Sequence, residues 1–329
     1  MINTLLSTSL NIQESDKICI ICDDSRAETA EAIKDCLKNK VRVERVKEKI
    51  KCDQLPKNII SILCDGIHNV IIICIEREQD IWHSKERKKA KYSLGKRLAS
   101  VIAPYEFLEK KIIKCDLKLM KELGEFVKNY LRENSKVVIT GKGGTSIEAI
   151  VGESFLEDGD YSIPNTGGDF PSGESGFSPK ELTVNGMVNY DLKVQGIGCV
   201  NMGDITVEIK DDKIEKVFGR KTKEFNDMLE ANNEFRHISE ISFGINPYIE
   251  IIDNKTNIIE EKKAGTVHFG HGGNFAYGNK IGRHFDAVID APTVYIDNVL
   301  FIKNGKFHLH GLTEGTYKKL KMFDLVYNE

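Results

Sequence analysis

Three of the chain's eight histidines fall in one stretch, GTVHFGHGGNFAYGNKIGRHFDAVID, residues 265–290. His284 and Asp286 form an H-x-D triplet there. On an extended strand, residues i and i+2 face the same way with Cα atoms about 7 Å apart. Such a pair could meet one cation together. His268 lies in GTVHFG. Glu174 follows a glycine- and proline-rich turn in GGDFPSGESGFSP, and Glu240 opens a strand-like run that ends in a turn, SEISFGINP. Glycine or proline beside each of these residues lets the backbone turn toward a common centre. Imidazoles and carboxylates together, with the cysteines elsewhere, suit zinc, manganese, cobalt or iron. Each piece also has an ordinary reading. A lone glutamate in a loop can be surface, a lone strand histidine can be a hydrogen-bonded core residue, and Asp286 can cap a turn. His271 reads as a plain residue of a glycine-rich loop.

The elements that must position these side chains come in two styles. Up to about residue 134, short apolar runs alternate with helical spacing. KICIICDDS, VRVERVK and NVIIICIE read as strands. RAETAEAIKDCLKN, NIISILCDG, SKERKKAKYSLGKRLASVI and DLKLMKELGEFVKNYLREN read as helices. This alternation predicts a parallel sheet covered on both faces. From SKVVITG onward the chain turns β-rich: ELTVNGMVNYDLKVQ, ITVEIKDDKIEKVFG, YIEIIDN, GTVHFG, DAVID and TVYIDNVLFIKNGKFH, with tight turns between runs. One helix, TKEFNDMLEANNEF, interrupts. The expected division is an α/β domain over 1–134 and a β-rich, mostly antiparallel domain over 135–329.

Composition narrows the function classes. A net charge of -3 gives no bulk reason to expect nucleic acid. The N-terminus lacks a basic start followed by a long apolar core, and no apolar run approaches the roughly 20 residues needed to span a bilayer. Seven of the eight cysteines lie within the first 115 residues, several inside apolar runs, where a thiol behaves as a small hydrophobe. Cys19 and Cys22 have C-x-x-C spacing but sit in a strand pattern that puts them on opposite faces. The expectation is a reducing, cytoplasmic setting.

Other motifs carry less. TGKGGTS, residues 140–146, is not a phosphate-binding loop, because Lys142 precedes the glycines. The basic run SKERKKAKYSLGKR reads as a solvated helix face. His237 reads as the end of the preceding helix, and His308 and His310 as an edge of the β domain.

Taken in order, FPSGESGFSP, SEISFGINP, GTVHFG and HFDAVIDAPTVYIDN resemble the M29 metallo-aminopeptidase family, the aminopeptidase T type. DIWHSKERKKA, with His83, Ser84, Arg87 and Ala90, and VVITGKGGTSIEAIV, with Gly144 and Thr145, extend the likeness into the first half. The resemblance implies a Rossmann-like N-terminal domain and a β-rich metal-binding domain. It implies Glu174, Glu240, His268, His284 and Asp286 as ligands of one or two divalent ions (Zn, Co, Mn or Fe). A metal-activated water would then attack an N-terminal peptide or peptide-like amide bond, with a glutamate taking its proton. Small peptides would be the substrates, with neither nucleic acid nor membrane as partner, and family members often dimerise. One departure bears on catalysis. The family's peptidases have a tyrosine seven residues after the histidine matching His268, where this chain has Phe275. A phenyl ring neither binds metal nor donates a proton, so Tyr277 is the candidate catalytic substitute alongside Glu174 and Glu240. The related dihydroxypyridine dioxygenases use one iron and have histidine where Glu240 stands. Their likeness keeps open a mononuclear non-haem iron oxygenase acting on a small aromatic or a peptide. A non-catalytic, peptide- or partner-binding member is the third reading, supported by Phe275.

Overall fold

The computed structural model describes residues 2–38, 40–47, 50, 54–76, 81, 84–103, 105–109, 116–251, 258–273, 284–308 and 312–327. They divide into two compact units, Met1–Leu117 with Gly159–Ser172, and Lys118–Asp158 with Gly173–Glu329.

The first unit is built on a parallel sheet. Its strands are β1 (Ile18–Asp23), β2 (Val41–Val46), β3 (Val70–Cys74) and β4 (Arg97–Val101). After β5 (Lys136–Thr140) and β6 (Ser146–Glu157) of the second unit, the chain contributes β7 (Gly167–Phe170) to the first. The order is β2-β1-β3-β4-β7, with every pairing parallel. Strands β1, β3 and β4 are buried along their whole length, the signature of a sheet covered on both faces. Cys19 and Cys22 lie on β1, and burial pushes the Cys19 thiol up to about 12, which withholds its thiolate from chemistry.

One expected helix is shorter than its pattern. The run SKERKKAKYSLGKRLASVI is helical only over Lys85–Tyr92, where the Ser84 hydroxyl caps the first turn by accepting from Arg87 N. Gly95 then takes a φ of 69°, a left-handed turn that ends a helix at little cost for glycine. The following RLASV becomes β4, whose backbone is needed to pair with both β3 and β7.

The second unit carries the remaining strands. They are β8 (Glu174–Pro179), β9 (Asn185–Tyr190), β10 (Lys193–Val194), β11 (Gly198–Cys199), β12 (Ile205–Lys210), β13 (Lys213–Phe218) and β14 (Ile238–Gly244). Then come β15 (Thr266–Gly272), β16 (His284–Asp290), β17 (Thr293–Ile296), β18 (Val299–Lys303), β19 (Lys306–His308) and β20 (Val326–Tyr327). Among the described residues they join β5 and β6 in one 15-stranded sheet, whose core path runs β10-β16-β15-β14-β8-β6. Pairing is antiparallel except for β19 with β20. The expected strand YIEIIDN is absent over its described part. Asn246 instead accepts from Tyr248 N through its side chain, holding a turn after β14.

The sequence pattern changes at 134/135, the entry to β5, but the compact units divide elsewhere. The helix Leu117–Tyr130 belongs almost wholly to the second unit. Gly124 lets it approach closely: a Cβ there would sit 2.8 Å from Ile245 Cδ1. Phe126 stacks on Phe301 with ring centroids 6.0 Å apart.

Asp212 ties the hairpin β12–β13 to the strand that carries Glu240. Its buried carboxylate accepts from the backbone N–H groups of Leu182, Thr183 and Val184, and its carbonyl accepts from Ile238 N at 2.8 Å. Three backbone donors, that of Val184 buried and those of Leu182 and Thr183 part-buried, would lose a charged acceptor in Asp212→Ala, which should lower stability by about 1–3 kcal/mol. Urea unfolding of the variant against the wild type measures this, and an unchanged midpoint would show that the carboxylate is not the tie.

Candidate functional site

Four adjacent strands, β8-β14-β15-β16, present one polar face. Across them Gly244 pairs with Glu174, Ser242 with Gly176 and His268, Gly270 with Glu240 and Asp286, and Gly272 with His284. Directly paired residues share a face. All of Glu174, Glu240, His268, His284 and Asp286 therefore project from the same side. The positions between them are small. A Cβ on Gly270 would lie 2.7 Å from His284 Nε2 and 2.8 Å from Glu240 Cβ, so only glycine leaves these two side chains their room.

The face is buried, with Glu174, Glu240, His268 and Asp286 all under 9% exposed and His284 half-buried. His268 is its centre. Its Nε2 lies 3.2 Å from Glu174 Oε2 and 3.5 Å from Glu240 Oε1. The Ser242 hydroxyl donates to Glu240 Oε1 at 2.9 Å, fixing that carboxylate. Ligand atoms of Glu174, Glu240 and His268 all lie within 4.8 Å of one another, and so do those of Glu261, His268 and Asp286. His284 joins neither cluster; its Nε2 is 2.6 Å from Asp286 Oδ1 and its Nδ1 is 3.1 Å from Gly273 O.

Several charged partners escaped the sequence reading. The short helical turn Ile259–Lys262, just before β15, is buried although it reads IEEK. Lys262 Nζ lies 2.6 Å from Glu174 Oε1 and 3.1 Å from Glu261 Oε1. Lys193 Nζ, on β10, is 2.9 Å from both oxygens of Glu260, and both residues are wholly buried. A buried charge is tolerated only with such pairing. The available signal was the placement of EEKK between Ile258-Ile259 and a strand, which a solvated turn does not need.

Electrostatics follows from this crowding. Burial would raise the Glu174 carboxyl, but Lys262 and His268 outweigh it and hold it down at about 2. Burial would lower the His268 imidazole, but Glu174 and Glu240 outweigh it and hold it well above the ordinary histidine value. Glu174 Oε2 and His268 Nδ1 are buried without a hydrogen-bond partner. Orphaned donor atoms beside clustered carboxylates and an imidazole fit a divalent cation of the zinc, manganese, cobalt or iron group.

His271 is not a loop residue. It lies on β15, fully buried, with its Nε2 2.8 Å from the Tyr190 hydroxyl and its ring stacked on Phe285 at 4.4 Å. Phe235 O is 3.2 Å from Nδ1; a carbonyl only accepts, so the proton sits on Nδ1 and Tyr190 donates to Nε2. The flanking glycines disguised a strand position. His237 does not end the helix Thr222–Ala231: Asn232 is extended after it, and His237 follows a separate short turn, Asn233–Arg236, which the Asn232 side chain caps by accepting from Glu234 N. Phe275 and Tyr277 lie outside the described residues, as do His83 and His310.

The comparisons agree with this architecture. The family model described as "NicX: 2,5-dihydroxypyridine 5,6-dioxygenase" matches residues 11–309, and the chain belongs to that family. Among solved structures it is similar to the 2,5-dihydroxypyridine dioxygenase from Pseudomonas putida KT2440, with a TM-score of 0.76 and 18% identity over 94% of this chain and 96% of that one. It is also similar to wild-type AmpT from Thermus thermophilus, with a TM-score of 0.64 and 11% identity over 94% of this chain and 98% of that one. No curated protein matches. At these identities the likeness to the solved structures shows the fold alone. That fold is the M29-like combination of a parallel α/β sheet with a larger mixed sheet. No described helix is long and apolar enough to cross a membrane.

Burial, foremost, pushes the His271 imidazole down to about 3, against about 6.5 for an unfolded histidine. Between those values the unfolded chain binds the extra proton, so stability falls as pH falls, by about 1.4 kcal/mol per pH unit from this residue. His271→Gln should flatten the dependence of unfolding free energy on pH between about 6.5 and 4 by roughly that slope. An unaltered slope in denaturant titrations would remove His271 as its source.

Proposed function

We propose that the chain is a metal-dependent hydrolase that cleaves an N-terminal peptide or peptide-like amide bond. One observation carries this reading: each donor cluster sets a single imidazole, that of His268, between two carboxylates. A carboxylate-rich set suits ions that serve water attack, and it keeps a carboxylate at hand as base. When bound, the divalent metal supplies Lewis acidity that activates a water and polarises the scissile carbonyl. Glu174 is kept ionised by Lys262 and stays a donor across the physiological range. Glu240, oriented by the Ser242 hydroxyl, takes the proton of the attacking water at its carboxylate. Burial of the face excludes bulk water and strengthens each of these interactions. Tyr277 is the proposed proton donor in place of the tyrosine lost at Phe275. A small peptide is the proposed substrate, and a homodimer the proposed assembly.

A second reading is favoured by the family description and by His268, His284 and Asp286, two imidazoles and a carboxylate on adjacent strands. That combination is the donor set of a non-haem iron(II) oxygenase.

Assays under argon and in air separate the two. Purified protein loaded with zinc, manganese or cobalt should release N-terminal residues from a di- and tripeptide panel equally with and without oxygen. His268→Ala should lose bound metal, and its rate should fall by at least about a hundredfold, in line with removal of an electrostatic catalytic element. Oxygen uptake that requires iron(II) and a dihydroxypyridine, with no peptide cleaved, would overturn the hydrolase in favour of the oxygenase.

A further inference from the structure

We infer that the first unit carries a binding site of its own, for a phosphate-bearing small molecule, at the amino ends of β1, β2 and β3. A cavity of about 480 Å³ opens there, within the roughly 300–1,000 Å³ of small-molecule sites. Its lining residues all belong to the first unit, and none lies on the donor face. Doubly wound sheets take their usual ligands at the opposite, carboxyl ends of the strands, so the fold alone does not account for it.

Cations converge on this cavity. Lys17 directly precedes β1, Lys40 directly precedes β2, and Arg42 is the second residue of β2. Among the described residues the ammonium groups of Lys17 and Lys40 make neither a hydrogen bond nor an ion pair. Arg42 Nη2 lies 2.9 Å from Glu44 Oε2, and Asn58 Nδ2 donates to the other oxygen of that carboxylate. A guanidinium has five N–H donors, so this bond steadies the group and leaves others available. Two acids also line the cavity. Asp16 is already met by Arg97, by Asn69 Nδ2 and by Gln13 N, and Glu14 is exposed, where water and salt screen it.

His68 adds a fixed imidazole. Its side chain is 9% exposed, and its Nδ1 is 2.7 Å from Asp65 Oδ2. Asp65 is held in turn by the N–H groups of Ile67 and His68, both at 3.1 Å, and by the buried Lys96 ammonium at 2.8 Å. A carboxylate accepts, so Nδ1 carries the proton, and Nε2, which makes no hydrogen bond among the described residues, is the polar atom left for the cavity. A phosphate suits either state of that nitrogen. Its P–OH donates to a bare Nε2, and its anionic oxygen accepts from a protonated one. Val41 and the exposed Ile67 add apolar wall for an organic body attached to the phosphate.

Calorimetric titration of the full chain tests this. The protein is first freed of metal by chelation, so that no phosphate binds through an ion on the donor face. Inorganic phosphate, pyrophosphate, AMP and ADP are the probes, with chloride as the background anion. At least one should bind, one molecule per chain. Tighter binding of ADP than of pyrophosphate would assign the apolar wall to an organic body, and equal binding would assign the site to free polyphosphate; either supports the site. Lys17→Ala combined with Lys40→Ala changes two exposed residues and should weaken binding at least about tenfold, in line with lost charge-assisted contacts. The His68 ring resonance, identified by its loss in His68→Gln, should shift on saturation. Binding that survives the double lysine variant, or that leaves this resonance unmoved, would overturn the inference, as would no binding of any probe. Binding abolished by physiological chloride would reduce the cavity to unspecific surface charge and overturn it too. None of these outcomes touches the hydrolase reading, which rests on the other unit.

Discussion

Burying a carboxylate is costly unless a positive charge or hydrogen-bond donors meet it, and among the described residues the second unit buries seven, five of them, Glu174, Glu240, Glu260, Glu261 and Asp286, on or beside the donor face. Much of what surrounds them answers that demand. Lys193 neutralises Glu260, Lys262 lies between Glu174 and Glu261, and His268 stands between Glu174 and Glu240. The turn Ile259–Lys262 places two carboxylates and an ammonium inside the protein, and its burial is tolerated through their pairing. Pairs of this kind are poor sources of net stability, because desolvation offsets most of the attraction. Their worth lies in holding ionised donors at fixed points.

The sheet does the fixing. Side chains on a strand stand at a repeat of two, and register across four strands converts sequence positions into a plane of donors. Glycine at Gly176, Gly270 and Gly272 keeps that plane open, whereas bulk would fill the space the donors need. Rigid strands hold such geometry more accurately than loops do. On the opposite side of β15 from His268, His271 is neutral and packed among Tyr190, Phe225 and Phe285. Two histidines three residues apart thus serve unlike ends, one among charges and one in an aromatic core.

The shared face of the five candidate residues was legible because strand periodicity and flanking turns are local signals. H-x-D declares a shared face, and glycine or proline beside Glu174 and Glu240 marks where strands begin and end. Lys193, Glu260, Glu261 and Lys262 were not legible, because charge on a short run reads as solvation unless the partner is known. Lys193 meets Glu260 across 67 positions of chain, and no local pattern encodes that meeting. Likewise GGDF gave no strand signal for β7, having neither β-branched residues nor length. The α/β fold of the first unit was readable because fully apolar strands and amphipathic helices differ in period. RLASV misled because its apolar residues continue a helical spacing that only Gly95 interrupts.

The excursion that supplies β7 makes this chain a poor subject for dissection by the ruler. Gly167–Phe170 is the outermost partner of β4, yet it is encoded after two strands of the other sheet. A gene fragment stopped at residue 134, where the pattern of the sequence changes, would carry off the parallel sheet without its last strand. Leu98–Val101 would then offer a bare, apolar edge to whatever strand came near, and such edges recruit copies of themselves. Inheritance follows the same logic. A unit whose final strand is written inside its neighbour's text is not readily shuffled alone, so the two are bound to travel as a pair.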